Sequence, residues 1–171
     1  MTRIIKPDPV NPALLFKQLF RISILRFIHI RTLSAMINIT DQAIDVDVAI
    51  KAASSLEAGG LNVFIGTVRN NTKGKKVRWL EYEAYETMAI SEIKKIIEAA
   101  KQKWDLKGYS VIHRTGTLHP NEIAVVIAVA CGHRKESFEA CQFIIDELKK
   151  HVPIFKKEVF EDGAEWVSAR P

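Results

Sequence analysis

The strongest constraint on the fold is an apolar run at residues 122–132, EIAVVIAVACG, which is rich in β-branched side chains. A strand without polar alternation has to be covered on both faces, so this run predicts the centre of a sheet with other elements packed on each side. The preceding run at 109–118, YSVIHRTGTL, also has strand character, and the turn HPN joins the two. The middle of the domain is therefore predicted to contain two neighbouring strands.

Helical and strand patterns flank this pair. They predict helices at 45–58, 87–104 and 135–152, and strands at 61–68, 77–85 and 154–160. The polar stretch 69–76 is typical of a turn and predicts that the first two of these strands form a hairpin. Because hairpins are mixed with helices, the pattern favours an α+β fold, a single domain with a mixed or antiparallel sheet and two main helices.

The net positive charge of the chain comes from its first 35 residues. The formal charge is +5, and this segment accounts for all of it, with Asp8 as its only acid. Its basic residues are Arg3, Lys6, Lys17, Arg21, Arg26 and Arg31. The rest of the chain is therefore neutral, which excludes a general polyanion or nucleic-acid binder, and any cationic site there has to arise from local placement.

The chain divides into an extension at 1–36 and a domain at 37–171. The extension is basic and apolar, which is typical of a membrane-surface helix or a targeting segment. A third interpretation is that the segment before Met36 is not part of the natural protein, because Met36 begins a sequence that is typical of a domain start. The two cysteines, Cys131 and Cys141, lack the spacing of a metal site or a disulfide framework, which favours a reducing, cytoplasmic location.

Four lysines lie close together in DELKKHVPIFKKE, residues 146–158. The apolar stripe of the preceding helix consists of Phe138, Cys141, Ile145, Leu148 and Val152. Lys149 is at the edge of this stripe, whereas Lys150 is on the solvent face. In the following strand, alternation places Lys156 and Glu158 on one face, close enough for the carboxylate to orient the ammonium group. The alternatives are a helix-end lysine that offsets the dipole and an exposed ion pair.

Other cationic candidates lie at the ends of strands. Arg69 ends the strand at 61–68, and His133 and Arg134 stand between the central strand and the N-terminus of a helix, where an anion is favoured. A surface arginine and a structural histidine are the alternatives. The pair His113–Arg114 is interpreted as structural. Cys131 is interpreted as a buried thiol, because no orienting group for a nucleophile is evident.

Several motifs together resemble one family. The segments GGLNVFIGTVRNNTKGKKVRWLEYEAY, VIHRTGTLHPNE, CGHRKESFEACQFIIDELKKHVPIFKKE and DGAEWV are similar, in order, to the catalytic (large) subunit of molybdopterin synthase. The resemblance covers residues 39–170. It implies an α/β-hammerhead fold and a homodimer at the centre of a heterotetramer, with a small ubiquitin-like carrier on each subunit. The carrier's C-terminal Gly-Gly tail ends in a thiocarboxylate, whose sulfur converts cyclic pyranopterin monophosphate into molybdopterin.

The same resemblance implies the site residues. Lys149 and Lys156 match the catalytic lysines. Substrate-binding positions are Thr67, Val68, Arg69, His133, Arg134, Lys157 and Glu158, besides the two lysines, and the pocket wall includes Phe64 and Ile145. We expect Lys149 to act near the carrier's carboxyl terminus, and Lys156, held by Glu158, to bind and polarise the pterin. No permanently bound cofactor or metal is expected, since the sulfur arrives on the partner.

The alternative is a non-enzymatic α+β module that binds a ubiquitin-like partner or an anionic, nucleotide-like ligand through the same cationic edge. It predicts binding without sulfur transfer, and it predicts that arginine replaces either lysine without loss.

Overall fold

The computed structural model describes residues 35–167, so most of the expected extension at 1–36 lies outside the described residues. The helices are α1 (Val46–Ala53), α2 (Glu86–Lys103) and α3 (Arg134–His151). The strands are β1 (Ala35–Thr40), β2 (Gly60–Thr67), β3 (Asn71–Thr72), β4 (Lys75–Ala84), β5 (Leu106–Arg114), β6 (Gly116–Leu118), β7 (Ile123–Cys131), β8 (Ile154–Phe160) and β9 (Ala164–Val167). None of the helices among these residues is long and apolar enough to cross a bilayer.

The first sheet has the strand order β1-β5-β7-β2. Strand β1 runs parallel to β5, and the other neighbours are antiparallel. Strand β7 is central and buried along nearly its whole length. Helices α2 and α3 cover one face through a large apolar core, and α1 covers the other through Ala49, which packs with Ile112 and Val126. The prediction of a central strand covered on both faces is confirmed.

Helix α1 begins where the sequence places acidic residues. The Asp45 carboxylate accepts hydrogen bonds from the backbone N–H groups of Asp47 and Val48, at 2.9 and 3.2 Å. It thereby satisfies donors that lack partners in the first turn of a helix. The helix ends at Ala53, earlier than the predicted end at residue 58.

The second sheet has the order β3-β4-β8-β9, with β6 also paired to β4. Strand β4 pairs with β8 from Val77↔Phe160 to Ala84↔Ile154. A tight turn at Lys73 and Gly74, both at positive φ, connects β3 to β4. This sheet has its own small core around Val77 and Leu118.

The predicted hairpin of 61–68 with 77–85 is wrong. Strand β2 pairs with β7 in the first sheet, whereas β4 belongs to the second sheet. The polar segment between them turns back on β4 alone and leaves β2 free to pair with the apolar β7. The α+β class and the two main helices are confirmed, but the strands form two sheets rather than one.

The apolar stripe of α3 also needs one correction. Cys141, Ile145, Leu148 and Val152 are buried, as predicted, but Phe138 is 59% exposed. Phe138 lies in the first turns of the helix, where nothing among residues 35–167 covers it.

Candidate active site

A cavity of about 710 Å³ opens between the C-terminal half of α3 and the second sheet. This volume lies in the range of small-molecule sites. Its lining includes Phe64, Gly66, Thr67, Arg69, Tyr82, His113, Val125, Ile145, Leu148, Lys149, Val152, Ile154, Lys156, Glu158 and Val167. Residues far apart in sequence thus share one concave surface.

The end of α3 separates two adjacent lysines. Lys149 lines the cavity beside the buried Leu148 and Ile145. Lys150 lies on the outer surface, where its ammonium group donates to Glu147 at 2.8 Å. This ion pair raises the pKa of Lys150 and lowers that of Glu147. Among residues 35–167, no carboxylate lies within ion-pair distance of Lys149, so its charge is available to a ligand.

Strand β8 separates the other two lysines by alternation. Lys156 faces the cavity and donates to the Glu158 carboxylate at 2.8 Å, as predicted. Glu158 is only 3% exposed, so its carboxylate fixes the position of the Lys156 ammonium group from the protein interior. Lys157 points to the opposite face, where it donates to Glu81 at 2.9 Å and lies over the Trp166 ring. Hydrogen bonds from Lys157 and from Trp79 lower the pKa of Glu81.

The end of β2 supplies another wall. Phe64 and Thr67 line the cavity, and Arg69 follows just after the strand. The Val68 side chain instead belongs to the core of the second sheet and is 3% exposed. Gly66 allows the Val125 and Phe64 side chains to lie close to the backbone of β2. A Cβ at this position would lie 2.6 Å from Val125 Cγ1 and 3.3 Å from Phe64 Cε1.

The charge of the cavity is positive. Arg69, Lys149 and Lys156 contribute three cations, and Glu158 is the one acid among the described lining residues. Apolar walls from Phe64 and neighbouring residues lower the local dielectric constant and strengthen attraction to an anion. The site therefore suits a ligand with a planar or apolar body and a negatively charged group.

His133 and Arg134 lie outside this cavity. They stand at the N-terminus of α3, whereas Lys149 is near its C-terminus. At about 1.5 Å per residue, Arg134 and Lys149 are about 22 Å apart along the helix axis. The His133 side chain makes no capping hydrogen bond to the helix. Within the single chain, the cavity therefore brings together Thr67, Arg69, Lys149, Lys156 and Glu158, but not His133, Arg134, Val68 or Lys157.

Sequence reasoning missed three polar residues of the cavity, Thr72, Tyr82 and His113. Burial, with the charge of Glu158 as a second cause, raises the pKa of Tyr82 to about 12. Alternation along β4 places Tyr82 on the same face as the buried Leu80, but it does not reveal that this face borders a cavity. The position of His113 within a strand predicts a structural role, and the sequence pattern alone does not show that the residue lines a cavity.

Neither cysteine has the character of a nucleophile. Cys131 and Cys141 are free and buried, and burial raises the pKa of each thiol to about 11. The interpretation of Cys131 as a buried thiol is confirmed. Within residues 35–167, no group of three His, Cys, Asp or Glu side chains is placed to hold a metal ion.

The fold and the cationic cavity define a class of α+β protein whose cavity suits an anionic ligand, with two lysines among its lining residues. Residues 39–151 match the family model described as MoaE protein, and the chain belongs to that family. The human protein named molybdopterin synthase catalytic subunit is 44% identical over 131 residues, which cover 77% of this chain and 70% of the relative.

Solved structures agree with this assignment. A molybdopterin synthase from Staphylococcus aureus has a TM-score of 0.73 at 38% identity, covering 76% of this chain and 95% of the other. A complex of subunits 1 and 2 of molybdopterin-converting factor from Helicobacter pylori has a TM-score of 0.62 at 20% identity, covering 80% and 92%, and supports the fold alone. Membership of this family favours the enzyme over the non-enzymatic module.

Proposed function

We propose that the chain is the catalytic subunit of molybdopterin synthase and that its cavity is where sulfur reaches cyclic pyranopterin monophosphate. The chain thereby acts as a sulfurtransferase of molybdenum cofactor biosynthesis. Family membership supports the activity. The observation that carries the assignment of the site is that Lys149 of α3 and Lys156 of β8 line one cavity, although a proline-containing turn separates the two elements.

The substrate's charge fits the cavity. A cyclic phosphate carries a negative charge, and Arg69, Lys149 and Lys156 offer donors to its oxygens. The pterin body has apolar faces that pack against side chains such as Phe64. Glu158 prevents Lys156 from turning away into solvent. Charge and shape together orient the substrate before sulfur arrives.

The sulfur comes from a second protein, a small ubiquitin-like carrier. Its thiocarboxylate sulfur forms a bond to a side-chain carbon of the pterin while a C–O bond at that carbon breaks, and the oxygen leaves as water or stays on the phosphate. Water then cleaves the bond between this sulfur and the carrier's acyl carbon. The carrier leaves as a carboxylate, and the sulfur stays on the substrate. Two such transfers give the dithiolene.

Lys149 and Lys156 have separate roles in the proposed sulfur transfer. Lys149 lacks a carboxylate partner among residues 35–167, and its ammonium group stabilises the oxyanion that forms on the acyl carbon. Lys156, held by Glu158, polarises the pterin at the carbon that receives sulfur. Neither step uses a cysteine of this chain, which agrees with the burial of Cys131 and Cys141. The proposal needs no permanently bound cofactor, since the carrier delivers the sulfur.

The distance along α3 supports a homodimer with shared cavities. Arg134 and His133 lie too far from Lys149 to reach the same ligand within one subunit. A second copy that covers the N-terminal end of α3 would bring them to its own cavity and would also cover the exposed Phe138. We propose this arrangement at the centre of a heterotetramer.

The location proposed for the protein is the cytoplasm. The support is the pair of free, buried cysteines, which is typical of proteins that fold in a reducing compartment.

The test is reconstitution with a thiocarboxylated carrier and cyclic pyranopterin monophosphate, with molybdopterin measured by fluorescence after oxidation. The wild-type chain is expected to form molybdopterin. Lys149→Ala is expected to lose turnover by a factor of about a hundred or more, because the oxyanion loses its charge partner, while carrier binding stays nearly unchanged.

Lys150→Ala is the matched control, because Lys150 is the adjacent residue on the same helix but pairs with Glu147 outside the cavity. It should retain wild-type turnover. Wild-type turnover in Lys149→Ala contradicts the role of Lys149, and a wild-type chain that forms no molybdopterin contradicts the function.

A further inference from the structure

His113 is the one histidine among the described residues that lines the cavity, and nothing above gives it a task. It lies on β5 opposite Val125 of β7 and is 5% exposed. Its Nδ1 is 2.9 Å from the backbone oxygen of Arg114. A carbonyl oxygen only accepts, so Nδ1 carries the hydrogen and donates it, which fixes the tautomer of the neutral ring.

The other ring nitrogen, Nε2, is therefore an acceptor in the neutral ring. No residue of 35–167 donates a hydrogen bond to it. The buried side-chain atoms of this part of the chain that lack both a partner and solvent contact are Ser110 Oγ and Arg114 Nε, and His113 Nε2 is not among them. Because Nδ1 is engaged by the Arg114 oxygen and His113 lines the cavity, Nε2 is the ring nitrogen left to a ligand in the cavity.

The surroundings of His113 keep the ring neutral. The ring packs edge-on against Tyr82 of β4, with 5.2 Å between the centroids, and no carboxylate within residues 35–167 is paired with it. Burial lowers the pKa of His113 to about 4, and the hydrogen bond to Arg114 opposes this shift only in part. At neutral pH the cavity thus contains an uncharged acceptor among cations.

The neutral imidazole can accept a hydrogen bond from a ligand, which the cationic side chains of the cavity cannot do. Lysine and arginine side chains only donate, and the Glu158 carboxylate is already engaged by Lys156. A pterin ring carries N–H and amino groups that need acceptors once they are removed from water. A second carboxylate would meet this need but would weaken the attraction for phosphate, whereas a neutral imidazole does not.

We infer that His113 Nε2 accepts a hydrogen bond from an N–H group of the pterin ring, so that His113 is a substrate-contacting residue that recognises the heterocycle rather than the phosphate. This inference rests on the function proposed above. It also orients the substrate, with the ring towards β5 and Tyr82 and the charged end towards the cations.

Two substitutions separate this contact from a structural role. His113→Asn keeps an N–H near the position of Nδ1 for the Arg114 oxygen but removes the acceptor at Nε2. His113→Gln does the reverse, since its longer amide reaches the position of Nε2. The measurement is the dissociation constant of the full chain for cyclic pyranopterin monophosphate, with inorganic phosphate as the probe of the cationic part alone.

We expect His113→Asn to bind the pterin about tenfold more weakly, which corresponds to the loss of one buried hydrogen bond. His113→Gln should stay within about threefold of wild type, and the affinity for inorganic phosphate should be unchanged in both. Wild-type affinity in His113→Asn, or equal losses in the two variants, would overturn the inference.

A measurement on the wild-type protein covers the case in which a variant does not fold. With ¹⁵N-labelled histidine, the Nε2 resonance of His113 should shift when cyclic pyranopterin monophosphate is added and stay in place with inorganic phosphate. A resonance that does not respond to bound pterin overturns the inference. Turnover is read separately, so a wild-type chain that binds the pterin without forming molybdopterin contradicts the proposed function and not this contact.

Discussion

Lys156 Nζ lies 2.8 Å from Glu158 Oε1, and the Glu158 side chain is 4% exposed whereas that of Lys156 is 28% exposed. The pair is thus asymmetric, with a carboxylate held in the protein interior and an ammonium group that reaches into the cavity. A buried carboxylate of this kind fixes the direction of its partner more strongly than an exposed ion pair does.

Glu158→Gln tests the role of this carboxylate. The amide still accepts a hydrogen bond but no longer holds Lys156 by charge, so turnover is expected to fall at least about tenfold. The free energy of unfolding should fall by about 1–3 kcal/mol, because a buried pair loses one charge. Reconstituted turnover and denaturant unfolding measure the two effects. Unchanged turnover would show that Lys156 does not depend on Glu158.

Lys149→Arg tests whether positive charge alone is sufficient at the end of α3. Arginine keeps the charge but has a larger, planar head group, so we expect turnover to fall at least about tenfold while carrier binding is retained. Lys150→Arg is the matched control and should behave as wild type. Full turnover in Lys149→Arg would instead favour a site that only binds an anion.

Gly66→Ala tests the wall formed by β2. The new Cβ would meet Val125 Cγ1 at 2.6 Å and Phe64 Cε1 at 3.3 Å, so the Val125 side chain has to shift and the Phe64 ring has to give slightly. Both side chains line the cavity, so its shape changes. We expect a loss of about 1–3 kcal/mol in the free energy of unfolding and weaker binding of the pterin. Gly132→Ala is the control for stability, because its Cβ would meet nothing within 4 Å. Equal stability of the two variants would contradict this packing.

Mixed dimers test whether the cavity is shared between subunits. Lys149→Ala and Arg134→Ala homodimers should both be nearly inactive. In a mixed dimer, one cavity has both substitutions and the other has neither, provided that Arg134 acts across the interface. Tagged mixed dimers should therefore recover up to about half of wild-type turnover. No recovery would place Arg134 and Lys149 in separate functions.

Local patterns were sufficient for much of this fold. The uninterrupted apolar run at 122–132 predicted the central strand because no exposed strand has such a composition. Alternation predicted the Lys156–Glu158 contact, since residues two apart share a face of a strand. Helical periodicity placed Lys149 beside the buried stripe and Lys150 in solvent.

The pairing of strands that are distant in sequence could not be predicted from local patterns. Strands β2 and β4 are neighbours in sequence, yet β2 pairs with β7, since alternation within a strand does not specify its partner. Phe138 has the spacing of a buried residue but lies where nothing in the described part of the chain covers it. His113 and Tyr82 border the cavity only because two sheets and α3 meet there, which depends on the tertiary fold.

The most direct test of the central claim is a crystal structure of the chain with cyclic pyranopterin monophosphate. We predict that the ligand lies in the cavity between α3 and β8, with Lys149 Nζ or Lys156 Nζ within hydrogen-bond distance of it. A ligand bound elsewhere on the chain, with both ammonium groups left in solvent, would contradict the account.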